Sequence, residues 1–174
     1  MFKYLFVLAG AITVSGCASM LGDPVSEPKD GERARLRAVL GTSWVDQNVC
    51  GDRPDLSEGV FVYLNTPYEK RSLGMPRGTL GSMPSRAWGE MYVRADQQIK
   101  VKINWASGKR NCALEFYFKP EKDRDYEFVT KGASFSGQFR YGPFRSCALG
   151  LSAYDITDGN NTPLELSREK LPCN

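Results

Sequence analysis

The sequence contains no histidine, and this absence excludes several classes of active site. Histidine is the commonest general base and the commonest metal ligand in proteins. A Ser-His-Asp or Cys-His catalytic apparatus therefore cannot be built from this chain, and neither can a histidine-ligated zinc site.

Several other features of binding and catalysis are also missing. The net charge is only +3, and the charged residues are scattered singly along the sequence. No stretch combines clustered basic residues with interleaved aromatic residues, so nucleic-acid binding has little support. No Cys-x-x-Cys pair, calcium loop or phosphate-binding glycine loop is present. We therefore expect no metal and no cofactor.

The N-terminus carries a short apolar run. Lys3 precedes the uncharged, mostly apolar residues 4–14, a run too short for a membrane-spanning helix, which needs about 20 residues. The run ends in Val14-Ser15-Gly16-Cys17. Its length and flanks are typical of a secretory signal peptide, and its VSGC ending resembles the lipobox of bacterial lipoproteins. A plain signal peptide with a chance cysteine, or a buried N-terminal helix, is the alternative.

The lipobox resemblance implies an anchor and a location. It implies that residues 1–16 are cleaved and that Cys17 carries acyl chains such as palmitate, enough for stable membrane anchoring. In this family's sorting rule, Ala18 rather than an acidic residue implies the outer membrane. We therefore expect a lipid-anchored protein of the bacterial envelope that faces the periplasm.

The rest of the chain divides into a linker and one domain. Residues 17–32 contain four acidic residues, one lysine and two prolines without periodicity, which indicates a flexible tether, the alternative being an ordered arm. Residues 33–174 are long enough for a single domain with a core of its own.

Alternating hydrophobicity predicts an all-β fold. Short strands are predicted at 34–40, 60–65, 88–94, 97–105, 112–119, 126–130, 135–141, 146–154 and 162–167. We expect an antiparallel β-sandwich, or a partly open barrel, of about eight short strands. The composition of residues 33–40 also allows a helix.

With Cys17 assigned to lipid, four cysteines remain in the domain. An even number of cysteines in an exported domain predicts two disulfides. Asp158-Gly159-Asn160 is a hairpin signal, and the returning strand would bring Cys173 close to Cys147. This predicts the pairs Cys147–Cys173 and, by exclusion, Cys50–Cys112.

The longest irregular stretch is residues 66–87. Such loops are often functional, and Arg, Met and Tyr are favoured at interfaces. The predicted partner-contact residues are Tyr68, Arg71, Met75, Arg77, Met83 and Arg86. The alternative is that the loop drapes over the sandwich and buries Met75 and Met83.

No catalytic residue is predicted. Paired carboxylates can hydrolyse glycosides, but the alternation places Glu115, Asp125, Glu127 and Glu165 outward or in turns, where solvated acids are expected. We therefore expect a non-catalytic binding or scaffold module for an envelope protein, in an unknown oligomeric state. The first alternative is an inhibitor or immunity protein that blocks a cell-wall hydrolase or toxin; the second is a cell-wall hydrolase.

Overall fold

A computed structural model describes residues 22–39, 42–56, 58–62, 66–79, 87–95, 97–107, 110–136 and 146–173. These residues form two β-sheets of five and four strands, which pack face to face, and they contain no helix. The predicted all-β sandwich is therefore confirmed.

Nine strands occur in the described regions of the chain. They are β1 (Arg33–Val39), β2 (Thr42–Asp46), β3 (Gly59–Val62), β4 (Trp88–Arg94), β5 (Ile99–Ser107), β6 (Arg110–Phe118), β7 (Asp125–Ser136), β8 (Ser146–Asp155) and β9 (Thr162–Pro163). One sheet has the order β4-β1-β7-β8-β9 and the other β3-β2-β5-β6. The strand pairings are antiparallel except that of β1 with β7. This parallel pair is joined by a long connection that passes through both sheets, because β4 lies beside β1 whereas β2, β3, β5 and β6 form the other sheet.

Alternation places the core between the two sheets. Leu36 of β1 and Phe128 of β7 are fully buried there. The Phe128 ring meets the rings of Phe116 and Phe118 from the facing sheet edge to face, at 5.0 and 5.2 Å between centroids. Residues 33–39 form a strand rather than a helix, because pairing on both sides completes their hydrogen bonds.

Three details differ from the predicted strands. The five residues of β2 were not predicted as a strand. The predicted strand at 126–130 and the start of the one predicted at 135–141 belong to a single strand, β7, with a bulge between Thr130 and Gly132. β9 is only two residues long.

Two disulfides link Cys50 to Cys173 and Cys112 to Cys147. The predicted pairs Cys147–Cys173 and Cys50–Cys112 are therefore wrong. The Cys112–Cys147 bond joins β6 of one sheet to β8 of the other, with a Cα–Cα distance of 5.8 Å. It closes one side of the sandwich.

The wrong pairing has a physical cause in the last hairpin. The prediction requires residues 162–167 to run beside β8 over their full length. The pairing with β8 ends at Pro163, and Ser167 instead bridges Tyr117 of β6 in the other sheet. This crossing directs Cys173 away from β8.

Residues 22–32 pack against the sandwich, so the predicted flexible tether over 17–32 is wrong for this segment. Val25 is 2% exposed and belongs to the core. Its N–H donates to the carbonyl of Val60 over 3.0 Å. Residues 17–21, which include Cys17, lie outside the described residues, as does the predicted signal peptide.

Side chains from two regions of the domain, and a close backbone approach from a third, hold this N-terminal arm. The Tyr68 hydroxyl donates to the carbonyl of Val25, and the Gln47 side-chain amide donates to that of Ser26. A Cβ at Gly59 would lie only 2.4 Å from the Val25 nitrogen. The arm is therefore a built element of the domain.

Candidate functional site

Three arginines at alternate positions of β1 lie on the outer face of the five-stranded sheet. Arg33, Arg35 and Arg37 are the arginines of "RARLR", and Ala34 and Leu36 between them face the core. Exposure falls along the row: Arg33 is exposed, the Arg35 side chain is 32% exposed and that of Arg37 is 2% exposed.

Arg37 lies between two buried carboxylates. The register places Glu90 of β4 and Glu127 of β7 directly opposite it. Arg37 Nε and Nη2 donate to Glu90 Oε1 at 2.9 and 2.5 Å, and Nη1 donates to Glu127 Oε2 at 2.9 Å. Both carboxylates are at most 1% exposed. Buried charges of this kind are costly unless every oxygen has a hydrogen-bond donor.

The missing donors come from residues 71–79, which cross over the arginine row. The Leu73 N–H donates to Glu90 Oε2. The N–H and the hydroxyl of Thr79 donate to Glu127 Oε1 at 2.8 and 2.6 Å. Both oxygens of each buried carboxylate therefore accept a hydrogen bond.

The arginines bind backbone carbonyls of the same segment. Arg35 Nη1 donates to Leu73 O at 3.1 Å, and Arg37 donates to the carbonyls of Met75 and Pro76 at 3.2 and 2.8 Å. Hydrogen bonds to charged groups are stronger than neutral ones. We call the set that holds the segment the arginine clasp: Arg35, Arg37, Glu90, Asp125 and Glu127.

The other two arginines of the row have different partners. Arg35 Nε and Nη2 donate to the two oxygens of Asp125 at 2.6 and 2.7 Å, and this bond raises the pKa of Arg35 although burial opposes it. The guanidinium of Arg33 instead stacks on Tyr92, 4.8 Å from the ring centroid.

The structure changes the interpretation of residues 66–87. Tyr68 and Met75 are 6% and 7% exposed, so their prediction as partner contacts is wrong. Arg71 is half-buried and pairs with Glu27 at 2.8 Å, whereas Arg77 is exposed. Met83 and Arg86 lie outside the described residues. Over 66–79 the loop covers the sandwich, which agrees with the alternative considered above.

The four acids considered for catalysis fall into two groups. Glu115 and Glu165 are exposed, as expected. Asp125 and Glu127 are 2% and 0% exposed, so their assignment to solvent is wrong. Alternation correctly places both on the outer face of the sheet, but residues 71–79 cover that face.

The buried acids are engaged in structure. Every oxygen of Glu90 and Glu127 accepts a hydrogen bond from the clasp or its covering segment, which makes them anchors for the segment. Across the described ranges, no three metal-ligating side chains lie close enough together to hold an ion.

A groove lies where residues 164–173, which we call the C-terminal strap, cross the ends of β6 and β7. Its volume is about 500 Å³. Its apolar lining includes Phe118, Tyr126, Leu164, Leu166 and Leu171, and its charged lining Lys119, Glu121, Arg124, Asp155 and Glu165. Leu171 is 37% exposed and is the one exposed large hydrophobic residue among those described.

The strap is fixed at both ends of its crossing. Ser167 and Tyr117 exchange two main-chain hydrogen bonds of 2.8 and 3.0 Å. The side-chain amide of Gln98 donates to the carbonyl of Leu171 and accepts from its N–H. With the disulfide at Cys173, these bonds make the groove a fixed surface. Sequence patterns missed it because its lining residues are distant along the chain.

Comparisons with protein-family models, with curated proteins and with solved structures found no match. The described residues include no helix that is long and apolar enough to cross a membrane.

Proposed function

We propose that this chain is a bacterial envelope lipoprotein, anchored through lipid on Cys17, whose domain binds an envelope protein without catalysing a reaction. The VSGC sequence at residues 14–17 supports the anchor. The two disulfides support an oxidising compartment outside the cytoplasm. The residue after Cys17 is alanine, which favours the outer membrane with the domain in the periplasm.

The observation that carries the binding role is the groove beneath the C-terminal strap. The groove combines apolar and aromatic side chains with charges of both signs, and aromatic residues and arginine are enriched at protein-binding surfaces. Of the groove's charged lining, Lys119 and Glu165 make no ion pair with any described residue, whereas Arg124 pairs with Glu121 and Asp155. We therefore infer that the occupant is a protein segment with an apolar side chain flanked by charges.

The clasp favours the groove over residues 71–79 as the binding surface. Residues 71–79 exchange hydrogen bonds with the buried side chains of the clasp that they cover. The segment is therefore fixed to the sheet and is not free to change its conformation around a partner. An inhibitor that inserts this segment into an enzyme cleft would have to break those bonds.

Affinity isolation tests the binding role. The tagged full chain is isolated from detergent-solubilised envelopes, together with Leu171→Glu and the matched variant Arg77→Glu. We expect one envelope protein to accompany the wild type and Arg77→Glu, and to be lost with Leu171→Glu. Loss with Arg77→Glu alone would move the surface to the loop and revive the inhibitor hypothesis.

The anchor is tested separately by intact mass. The mature protein extracted from membranes should begin at Cys17 and carry the added mass of acyl chains. Cys17→Ser should remove that mass and release the domain from the membrane. An unmodified mature N-terminus downstream of Cys17 would contradict the lipoprotein assignment.

A further inference from the structure

β6 is an edge strand, and most of its outer edge has no partner among the described residues. Tyr117 directs its N–H and C=O away from β5, because both bond to Ser167. β5 and β6 pair in unbroken register over all nine residues of β6. Alternate residues of β6 therefore direct their main-chain groups outward as Tyr117 does: these are Asn111, Ala113 and Glu115.

Within the described parts of the chain, residues 111–115 lack the usual protection against strand pairing. Natural edge strands are blocked by proline, bulges, inward charges or a covering segment. Residues 111–115 contain no proline and no bulge. Glu115 is held sideways by Lys102 of β5 at 3.3 Å. The strap turns away after Ser167, whose Oγ accepts from the Glu169 N–H.

We propose that this edge pairs with the same edge of a second copy of the chain, antiparallel about a two-fold axis at Ala113. In that register Ala113 faces the partner's Ala113. Asn111 faces the partner's Glu115, and the reciprocal pair forms on the other side of the axis. The edge is thus self-complementary in its main-chain groups.

The side chains fit the same register. Asn111, Ala113 and Glu115 are all exposed. The amide of Asn111 can donate to the carboxylate of the facing Glu115, whereas a register shifted by two residues would bring Glu115 opposite the partner's Ala113. Side chains that hydrogen-bond across a strand pair stabilise the register that places them opposite each other.

Dimerisation goes beyond the proposed function. It would join the two four-stranded sheets into one continuous sheet and would place two groove surfaces on one particle. Two linked binding sites, each on an anchored chain, raise avidity without any new contact to the partner.

Register-specific cysteine crosslinking in the full chain tests the proposal. Ala113→Cys should form a covalent dimer at least about tenfold faster than Asp158→Cys on an exposed turn, because paired Cα atoms lie about 5.5 Å apart. Asn111→Cys and Glu115→Cys should each crosslink slowly alone and rapidly when mixed.

Sedimentation of matched variants gives an independent readout. Wild type and Ala113→Val should dimerise with rising concentration, whereas Ala113→Pro, which removes one outward N–H that β5 does not use, should stay monomeric. Crosslinking of Ala113→Cys at the rate of Asp158→Cys would overturn the proposal. Fast capture of a different protein at position 113 would also overturn it, in favour of strand addition by that protein.

Discussion

Arg37 on β1 lies directly opposite Glu127 on the parallel neighbour β7, and its Nη1 donates to Glu127 Oε2 over 2.9 Å. Both side chains are buried on the face of the sheet that points away from the core. This pair and its neighbours hold residues 71–79 over the sheet. The outer face consequently behaves as a second, polar core.

Removing the central cation should strongly destabilise the fold. Arg37→Met leaves Glu90 and Glu127 buried without their shared partner, and breaking one side of a buried ion pair typically costs about 3–5 kcal/mol. Urea unfolding at pH 7 measures this loss. The exposed Arg77→Met should stay within about 0.5 kcal/mol of wild type. A loss of under about 1 kcal/mol for Arg37→Met would contradict the clasp.

The close approach of Gly78 to Glu127 allows a milder test of the clasp. At Gly78 a Cβ would lie 2.8 Å from Glu127 Oε2, and φ is +52°. Gly74 also has positive φ, but a Cβ there meets nothing within 4 Å. Gly78→Ala should therefore speed hydrogen exchange at the Thr79 amide. Gly74→Ala, which introduces the backbone strain but no contact with Glu127, should speed that exchange less. Equal effects would mean that the contact with Glu127 is unimportant.

The two disulfides should stabilise different parts of the domain: one fixes the C-terminal strap and the other joins the two sheets. Replacing Cys50 and Cys173 with alanine should release the strap to proteases and cost about 5 kcal/mol in the chain-entropy model. Replacing Cys112 and Cys147 should cost about 4 kcal/mol and leave the strap protected. Non-reducing peptide mapping should recover the pairs Cys50–Cys173 and Cys112–Cys147, and a peptide linking Cys147 to Cys173 would contradict the structure.

Part of the loss of folding stability at alkaline pH should come from ionisation of Tyr68. Burial raises the pKa of this phenol, with a smaller contribution in the same direction from Glu27. The folded state therefore keeps a proton that the unfolded state releases near pH 10, so this stability is present below pH 10 and is lost as pH rises through the folded pKa. Tyr68→Phe should show a flatter decline between pH 9 and 11. An identical decline in both proteins would be evidence against this linkage.

Local patterns predicted most strands of the fold but not how distant strands meet. The alternation in residues 99–103 and 112–118 gives β5 and β6 directly, because one face of each strand is buried. The cysteine pairing failed because it depends on where the chain leaves β8, and that crossing is set by a single bridge between Ser167 and Tyr117.

The site was less predictable than the fold for the same reason. The alternation of β1 and β7 places Arg35, Arg37 and Glu127 on the outer face of the sheet, where side chains are usually solvated. Their burial follows from the register between β1 and β7 and from the covering segment 71–79. Neither the register of a parallel pair distant in sequence nor the path of a loop leaves a periodic signal.

Site-specific photocrosslinking in living cells tests the binding surface most directly. A photoreactive phenylalanine derivative replaces Leu171 in the groove or, in a matched chain, Arg77 on the clasped segment. Our prediction is that position 171 traps one envelope protein reproducibly and that position 77 traps none. Capture of a single envelope protein from position 77, with only background from position 171, would contradict it.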